Sequence, residues 1–408
     1  MHGHQLEAGS APAAKPDMLI IAPTYAYFVK DQVETLAPRF GKVSAVVTHN
    51  PIADLSGFLP VESLKPFAWK AKVDLRGKPG NVEVSGAVTL YLPTDGMYKK
   101  LPARCLRAVD RVLEKRMIHA DISHSHFVSP QGYAGVRLKE KYGIPSIVTA
   151  HGYDVYDLPY RSEEWRELVA STLDAADHVI TVSHSNLRHL ERLRVKAPVS
   201  VIPNGFRDDL FYPADQALCR KKLGLPEDRQ VIVTVGSLSR VKGHEFLVRA
   251  MRTLADHGSD VLCVIVGQGG LRAGLEGLIR ELRLDGRVLL AGARPHSEIP
   301  LWLNAADLFV LPSLAEGNPT VMFECLGCGR PFVGTAVGGV PEHITSEDIG
   351  YVVEAGDPGR LAEAIGAALG KAWDRVRIYE YSRQYTWEHI VGQYCRIYGR
   401  FLGPGWRG

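Results

Sequence analysis

Two glutamates with a helix start between them are the residues of this chain best suited to do chemistry. They lie in Leu314-Ala315-Glu316-Gly317-Asn318-Pro319-Thr320-Val321-Met322-Phe323-Glu324-Cys325-Leu326-Gly327-Cys328-Gly329-Arg330-Pro331. Asn318 is of a type preferred at a helix N-cap, and Pro319 suits the first helical turn. The spacing therefore predicts free amides on Thr320, Val321 and Met322 at a helix N-terminus, where they attract phosphate. Glu316 stands just before the cap and Glu324 about a turn and a half inside the helix. As phosphate ligands they would repel their target. As hydroxyl acceptors they would flank a diphosphate, and a nucleotide sugar has that layout: ribose, diphosphate, sugar.

Such a motif needs strands to carry it and a second set of loops to face it. Strand-like runs at Met18–Ala22, Val43–Val47, Ile122–His126, Ser146–Ala150, His178–Val182 and Val199–Ile202 alternate with helical periods such as Val29–Phe40. The rhythm restarts at Val231–Val235 and continues through Val261–Val266, Val288–Leu290, Leu308–Leu311 and Pro331–Val333. Between the two runs lies Pro203-Asn204-Gly205, a strong turn signal. The expected architecture is α/β, with two doubly wound parallel sheets facing across a cleft. Ligands collect at the carboxyl ends of such strands, which is where Leu308–Leu311 delivers the two glutamates.

Three further strand ends carry candidate residues. Val235-Gly236-Ser237-Leu238-Ser239-Arg240-Val241-Lys242-Gly243 offers close backbone approach at Gly236 and cations at Arg240 and Lys242 that could offset a diphosphate's charge. Ala150-His151-Gly152-Tyr153-Asp154 places a histidine and an aspartate at a first-half strand end. Gly267-Gln268-Gly269-Gly270 resembles a dinucleotide turn, but Arg272 stands where its third glycine belongs, which argues against NAD. His124 and His126 have metal-like spacing without a third local ligand, and are read as cleft or packing residues.

The glutamate segment resembles the E-x7-E motif of the family-4 retaining glycosyltransferases, which have the GT-B fold of two Rossmann-like domains. The likeness runs from Met18 to Leu402. Residues 1–17, small and polar, read as a disordered leader; the likeness implies an acceptor domain at 18–203, a donor domain at 204–378, and a C-terminal helix at 379–408 crossing back onto the first domain. It also implies that Glu316 contacts the donor sugar, that Glu324 contacts the ribose, and that Gly317, Asn318, Pro319, Thr320 and Val321 line the donor between them. Lys242 matches the family's diphosphate-gripping lysine. Ser237 replaces the usual arginine, with Arg240 as a candidate substitute. His151 matches the histidine of H-G-x-D that faces the donor sugar, so His151, Glu316 and Lys242 form the expected catalytic set. Gly267 and Arg294 fall where the family approaches the nucleotide and its base. Arg207 replaces an aspartate expected after P-N-G. The glycine pair usual after the first strand is absent from Pro23-Thr24-Tyr25-Ala26-Tyr27-Phe28, which brings Tyr25 and Tyr27 into play on the acceptor side, together with His126 and Asp154.

The resemblance implies transfer of a sugar from a nucleoside-diphosphate donor (UDP or GDP) to a hydroxyl acceptor, glycan or lipid-linked. The donor is a co-substrate; no cofactor, metal or nucleic-acid partner is expected. An epimerase of the same fold and a non-catalytic two-lobed sugar-binding protein are the rivals. Composition agrees with a soluble globular protein: 46% of residues are hydrophobic and 23% charged, with a net charge of +3. Six irregularly spaced cysteines fit a reducing cytoplasm, and Cys325 and Cys328 lack the second pair a zinc site needs. The first half carries the basic surplus. Much of it lies at 98–116, where Lys99, Lys100, Arg104, Arg107, Arg111, Lys115 and Arg116 oppose only Asp110 and Glu114. That segment reads as a basic amphipathic helix able to dock on an anionic membrane surface, giving a peripheral location on the inner face. The loops Phe58–Lys78 and Gly96–Arg116 are expected to choose the acceptor. The aromatic stripe of Tyr379–Phe401 is expected to be a packing surface.

Overall fold

The computed structural model describes residues 14–57, 67–92, 94–403, 405, 406 and 408. Most of the expected leader (1–13) and part of one acceptor loop (58–66) lie outside the described residues.

Alternating apolar strands and amphipathic helices build two parallel sheets. The first holds β1 (Met18–Ala22), β2 (Val43–His49), β3 (Val82–Val88), β4 (Ile122–His126), β5 (Ser146–Ala150), β6 (His178–Thr181) and β7 (Val199–Val201), in the order β3-β2-β1-β4-β5-β6-β7. The second holds β8 (Gln230–Val235), β9 (Val261–Val266), β10 (Val288–Gly292), β11 (Leu308–Leu311), β12 (Phe332–Thr335) and β13 (Gly350–Val353), in the order β10-β9-β8-β11-β12-β13. In each sheet the order reverses beside the first strand, between β1 and β4 and between β8 and β11. Each reversal opens a crevice at the carboxyl ends. The central strands β1, β4, β5, β6, β9 and β11 are buried throughout, because helices cover both faces.

β3 and β13 are the strands that periodicity did not reveal. β3 is an edge strand whose Val82 is buried while Glu83, Gly86 and Val88 face out, and β13 is a short edge strand that begins at Gly350. Edge strands need less apolar sequence, so their signal is weak.

The C-terminal aromatic stripe is not one helix. Arg375–Ser382 and Tyr385 pack in the second-sheet core through Ile378 and Tyr385. Thr386 is extended, and its hydroxyl accepts from the His389 amide (3.4 Å), which caps a new helix, Trp387–Leu402. That helix buries Trp387, Ile390, Val391, Tyr394, Ile397 and Tyr398 against β1, β2 and the helix Tyr27–Leu36. The chain thus passes twice between the domains, and the passes pair: Phe206 N donates to Tyr385 O (3.0 Å) and Trp387 N to Phe206 O (2.9 Å). Cys325 and Cys328 are fully buried free thiols whose pKa values burial pushes up, in keeping with small core residues.

Trp387→Ala removes the largest fully buried side chain at this junction. It should destabilise the first domain by about 3–5 kcal/mol. In urea titrations the first-domain transition should move to lower denaturant while the second-domain transition stays in place.

Candidate active site in the interdomain cleft

The carboxyl ends of the two sheets face each other across a cleft of ≈ 390 Å³. Tyr27 and Phe28 line it from the first domain. Gly236, Ser237, Lys242, Gly267, Arg294 and His296 line it from the second, with Pro319, Thr320, Val321 and Glu324 at its floor.

Glu316 is held from two sides: Lys242 Nζ lies 2.6 Å from its Oε1, and Ser313 Oγ donates to the same oxygen at 2.7 Å. Lys242 reaches it because the turn after β8 closes tightly. Gly243 has φ +62°, and a Cβ there would lie 2.0 Å from the Pro312 carbonyl oxygen, so only glycine permits the approach. On its other side the Glu316 loop meets the first domain. A Cβ on Gly317 would lie 1.8 Å from the His151 carbonyl oxygen, and one on Gly152 2.8 Å from the Gly317 Cα. The two backbones touch without side chains between them.

The helix after this loop runs Thr320–Gly327, and its cap differs from expectation. Pro319 is the N-cap, in extended conformation and without a side-chain hydrogen bond. The Met322 amide donates to Pro319 O (3.1 Å), so Thr320 and Val321 carry the outward amides. Asn318 is a tether instead. Its buried side-chain amide donates to the Val182 carbonyl of the first domain (2.7 Å) and contacts His343 Nε2 (2.8 Å). A second tether, absent from the sequence reading, is Glu342. Its carboxylate accepts the amides of His184 (2.8 Å) and Ser185 (2.7 Å) at the start of the first-domain helix His184–Arg192.

Glu324 is paired with a histidine that no sequence motif marks. His296 Nε2 lies 2.9 Å from Glu324 Oε1, and its ring meets Tyr27 edge-on with centroids 5.6 Å apart. Burial pushes the imidazole pKa down, but the Glu324 carboxylate outweighs it and the net shift is upward. Its nearness to Arg294 in the loop after β10 was the available signal. Arg294 lines the cleft with its guanidinium 5.4 Å from the Trp302 ring centre. Arg240 is exposed in the turn before Lys242 and does not line the cleft, so it does not replace the missing arginine; Ser237 faces the cleft, its hydroxyl 2.9 Å from that of Ser239.

The first-domain wall corrects three acceptor-side expectations. Tyr25 is buried in the core, its hydroxyl donating to Glu34 Oε1 (3.2 Å). Asp154 is buried too, and its oxygens accept from the amides of Val128 (2.9 Å), His151 (3.0 Å) and Gly152 (2.8 Å). Both oxygens hold the His151 turn in shape. His126 stands behind His151 rather than beside it. His126 Nδ1 is 3.0 Å from His151 Nε2, and His124 stacks on His126 at 4.6 Å. Burial lowers all three pKa values, that of His126 to about 3, so the stack is neutral. Among the described residues no three His, Cys, Asp or Glu side chains are arranged to hold a metal ion. Tyr27, by contrast, does reach the cleft. It is 55% exposed and takes φ +52°, a left-handed conformation where the family pattern has glycine.

Residues 215–385 match the family model described as glycosyl transferases group 1, and residues 73–210 match that of glycosyltransferase family 4. A putative teichuronic acid biosynthesis glycosyltransferase of Bacillus subtilis is 32% identical over 292 residues, covering 69% of this chain and 70% of its own. A D-inositol 3-phosphate glycosyltransferase of Mycobacterium tuberculosis is 28% identical over 342 residues, covering 76% and 69%. Among solved structures, a sucrose-phosphate synthase from Thermosynechococcus elongatus has a TM-score of 0.75 at 23% identity, covering 95% of this chain and 99% of that one, a likeness of fold.

One buried acid beside the cleft makes stability pH-dependent. Asp31, on the helix Tyr27–Leu36, is 4% exposed, and its pKa rises from 3.8 to about 7, chiefly through burial. His296 and Arg207 oppose the rise, while Glu324 and Glu34 add to it. The folded protein keeps this proton up to about pH 7, whereas an unfolded chain releases it near 3.8. Stability from this group therefore falls as pH climbs between those values. Asp31→Asn should raise the thermal midpoint at pH 8 by about 2–4 °C, the gain fading toward pH 4; a fluorimetric melt across that range measures it.

Proposed function

The chain belongs to the glycosyl transferases of group 1, and from that premise we propose that it transfers a sugar from a nucleoside-diphosphate donor to a hydroxyl acceptor with retention of anomeric configuration and without a metal ion. The observation that carries this reading is the Lys242–Glu316–Ser313 node beside an uncapped helix start, with Glu324 one turn beyond it. A donor laid along this floor puts its ribose at Glu324, its diphosphate at the amides of Thr320 and Val321, and its sugar at Glu316 and His151. Gly236, Gly267, Gly317 and Pro319 are its backbone walls, and Arg294 is nearest the base. Asn318 contributes by holding the two domains together.

In the reaction, the bond from the anomeric carbon to the diphosphate oxygen breaks and a bond to the acceptor oxygen forms on the same face. The acceptor's proton passes to the departing phosphate. Lys242 and the helix dipole offset the charge that develops on the leaving group. Because the Lys242 ammonium already touches Glu316, one cation links the sugar-binding carboxylate to the diphosphate. The neutral histidine stack gives the sugar a wall without charge.

Docking to anionic lipid is the second half of this reading. The helix Leu101–Arg116 turns Leu101, Cys105, Val109 and Leu113 into the first-domain core, so its apolar side is already covered. Lys99 pairs with Glu164 (2.6 Å), and Arg104 donates to Leu90 O (2.7 Å). Lys100, Arg107, Arg111, Lys115 and Arg116 remain exposed, beside the exposed side chains of Val88, Leu90 and Leu92 at the sheet edge. Contact would be electrostatic, at the surface of a bilayer that holds a lipid-linked or glycan acceptor. Among the described residues no helix is long and apolar enough to cross a membrane.

Incubation with a panel of UDP- and GDP-sugars should release nucleoside diphosphate from one donor. Failure to bind or turn over any of them overturns the transferase reading; sugar interconversion without transfer would indicate an epimerase, and sugar binding alone a two-lobed binding protein. Glu324→Ala should weaken nucleotide affinity about 10–100-fold. Glu316→Ala should instead lower kcat about 100-fold or more with nucleotide affinity nearly kept. For the membrane surface, replacing Arg107, Arg111 and Lys115 with Gln should reduce sedimentation with phosphatidylserine vesicles about 100-fold. Partitioning that ignores vesicle charge removes the docking half alone.

A further inference from the structure

A line of tyrosines runs along the first-domain wall from Glu316 toward the basic helix. Tyr156, on the short helix Tyr153–Tyr156 after β5, packs over Gly152, its Cε1 3.0 Å from where a Cβ on that glycine would sit. Its hydroxyl feels the charge of Glu316, the carboxylate proposed to hold the donor sugar. Tyr153 comes next. It is 44% exposed, and the Arg161 guanidinium lies 5.2 Å from its ring centre, itself held by Asp157 at 2.7 Å. Tyr98, 42% exposed, is an electrostatic neighbour of Tyr153 although 55 positions earlier in the chain. The Lys99–Glu164 ion pair (2.6 Å) fastens the Tyr98 segment to the helix Glu163–Ala175, which follows the Tyr153 turn. Tyr91 closes the line, edge-on to Tyr98 with centroids 5.5 Å apart, between the exposed Leu90 and Leu92.

Two exposed rings, Tyr153 and Tyr98, flanked by two half-buried ones, Tyr156 and Tyr91, suit one class of ligand. The C–H faces of a pyranose pack on a ring, while its hydroxyls meet flanking charges such as Arg161 and Asp157. Tyrosine has few rotatable bonds, so little freedom is lost on contact. A small alcohol or an inositol ring would need only the first of these positions. We propose that Tyr156, Tyr153, Tyr98 and Tyr91 form an acceptor track, and that the acceptor is a saccharide of several units whose reacting end lies at Glu316 and whose far end points to the cationic, apolar-edged face. The proposal deepens the transferase reading and rests on it for the placement of Glu316.

The test uses the full chain and saturation-transfer NMR with maltotetraose, chitotetraose and mannotetraose, each beside its monosaccharide, together with UDP and GDP titrations. At least one tetrasaccharide should bind about ten-fold tighter than its monosaccharide. Tyr98→Ala with Tyr153→Ala should abolish about ten-fold of that affinity, whereas Tyr98→Phe with Tyr153→Phe should keep it, because stacking needs the ring and not the hydroxyl. Nucleotide affinity should not change in either variant. Tetrasaccharides that bind no better than monosaccharides in every series, or affinity indifferent to loss of the rings, overturn the track. Absence of UDP and GDP binding in the unsubstituted chain, with tetrasaccharide binding intact, instead overturns the donor reading and leaves the track standing.

Discussion

Gly152 at the end of β5 and Gly317 after β11 meet backbone to backbone, and that contact sets how closely the two walls of the cleft approach. A methyl group on either glycine would push the two sheets apart by more than packed interiors absorb without rearrangement. Because nothing intervenes, His151 of one domain and Glu316 of the other stand in adjacent loops. The polar ties around the contact keep it aligned rather than create it. Asn318 reaches back to the Val182 carbonyl, and Glu342 caps a helix across the gap. All of them use backbone groups as partners, which tolerate substitution in the opposite domain. The geometry of the cleft is thereby set by main chain, and side chains are left for ligands.

The cleft also concentrates carboxyls. Glu316 is balanced by Lys242, Glu324 by His296, and Glu34 by Lys30 and Arg207, at N···O separations between 2.6 and 3.8 Å. Among the described residues Asp31 has no ion-pair partner, and it keeps its proton instead. Arg207, which stands where a related pattern has aspartate, makes sense in this setting: an acid there would add to Asp31 and Glu34, whereas the guanidinium offsets them and also pairs with Asp209 (2.6 Å).

Much of the architecture was legible because parallel sheets buried on both faces leave continuous apolar runs. β1, β4, β5, β9 and β11 therefore coincide with sequence runs end for end. The Glu316–Glu324 spacing and the Lys242-Gly243 pair were legible for a similar reason, since each belongs to a local turn. What could not be read depends on long-range partners. Asn318 looks like a cap from its neighbours, but its amide finds Val182, 136 positions away. Asp154 looks like a ligand, yet three nearby amides take its oxygens. Tyr25 and Tyr27 differ by two positions, yet one ring is in the core and the other, on a residue with φ +52°, is at the cleft. Glu342 acts entirely across space and no local pattern announces it, while only its nearness to Arg294 pointed to His296.

The paired crossing of the chain at Phe206 and Thr386 has a mechanical meaning. The two crossings are tied by a pair of backbone hydrogen bonds and cannot slide past one another without breaking them. The domains are thus joined by two coupled passages of chain, so that whatever displaces one linker must carry the other with it.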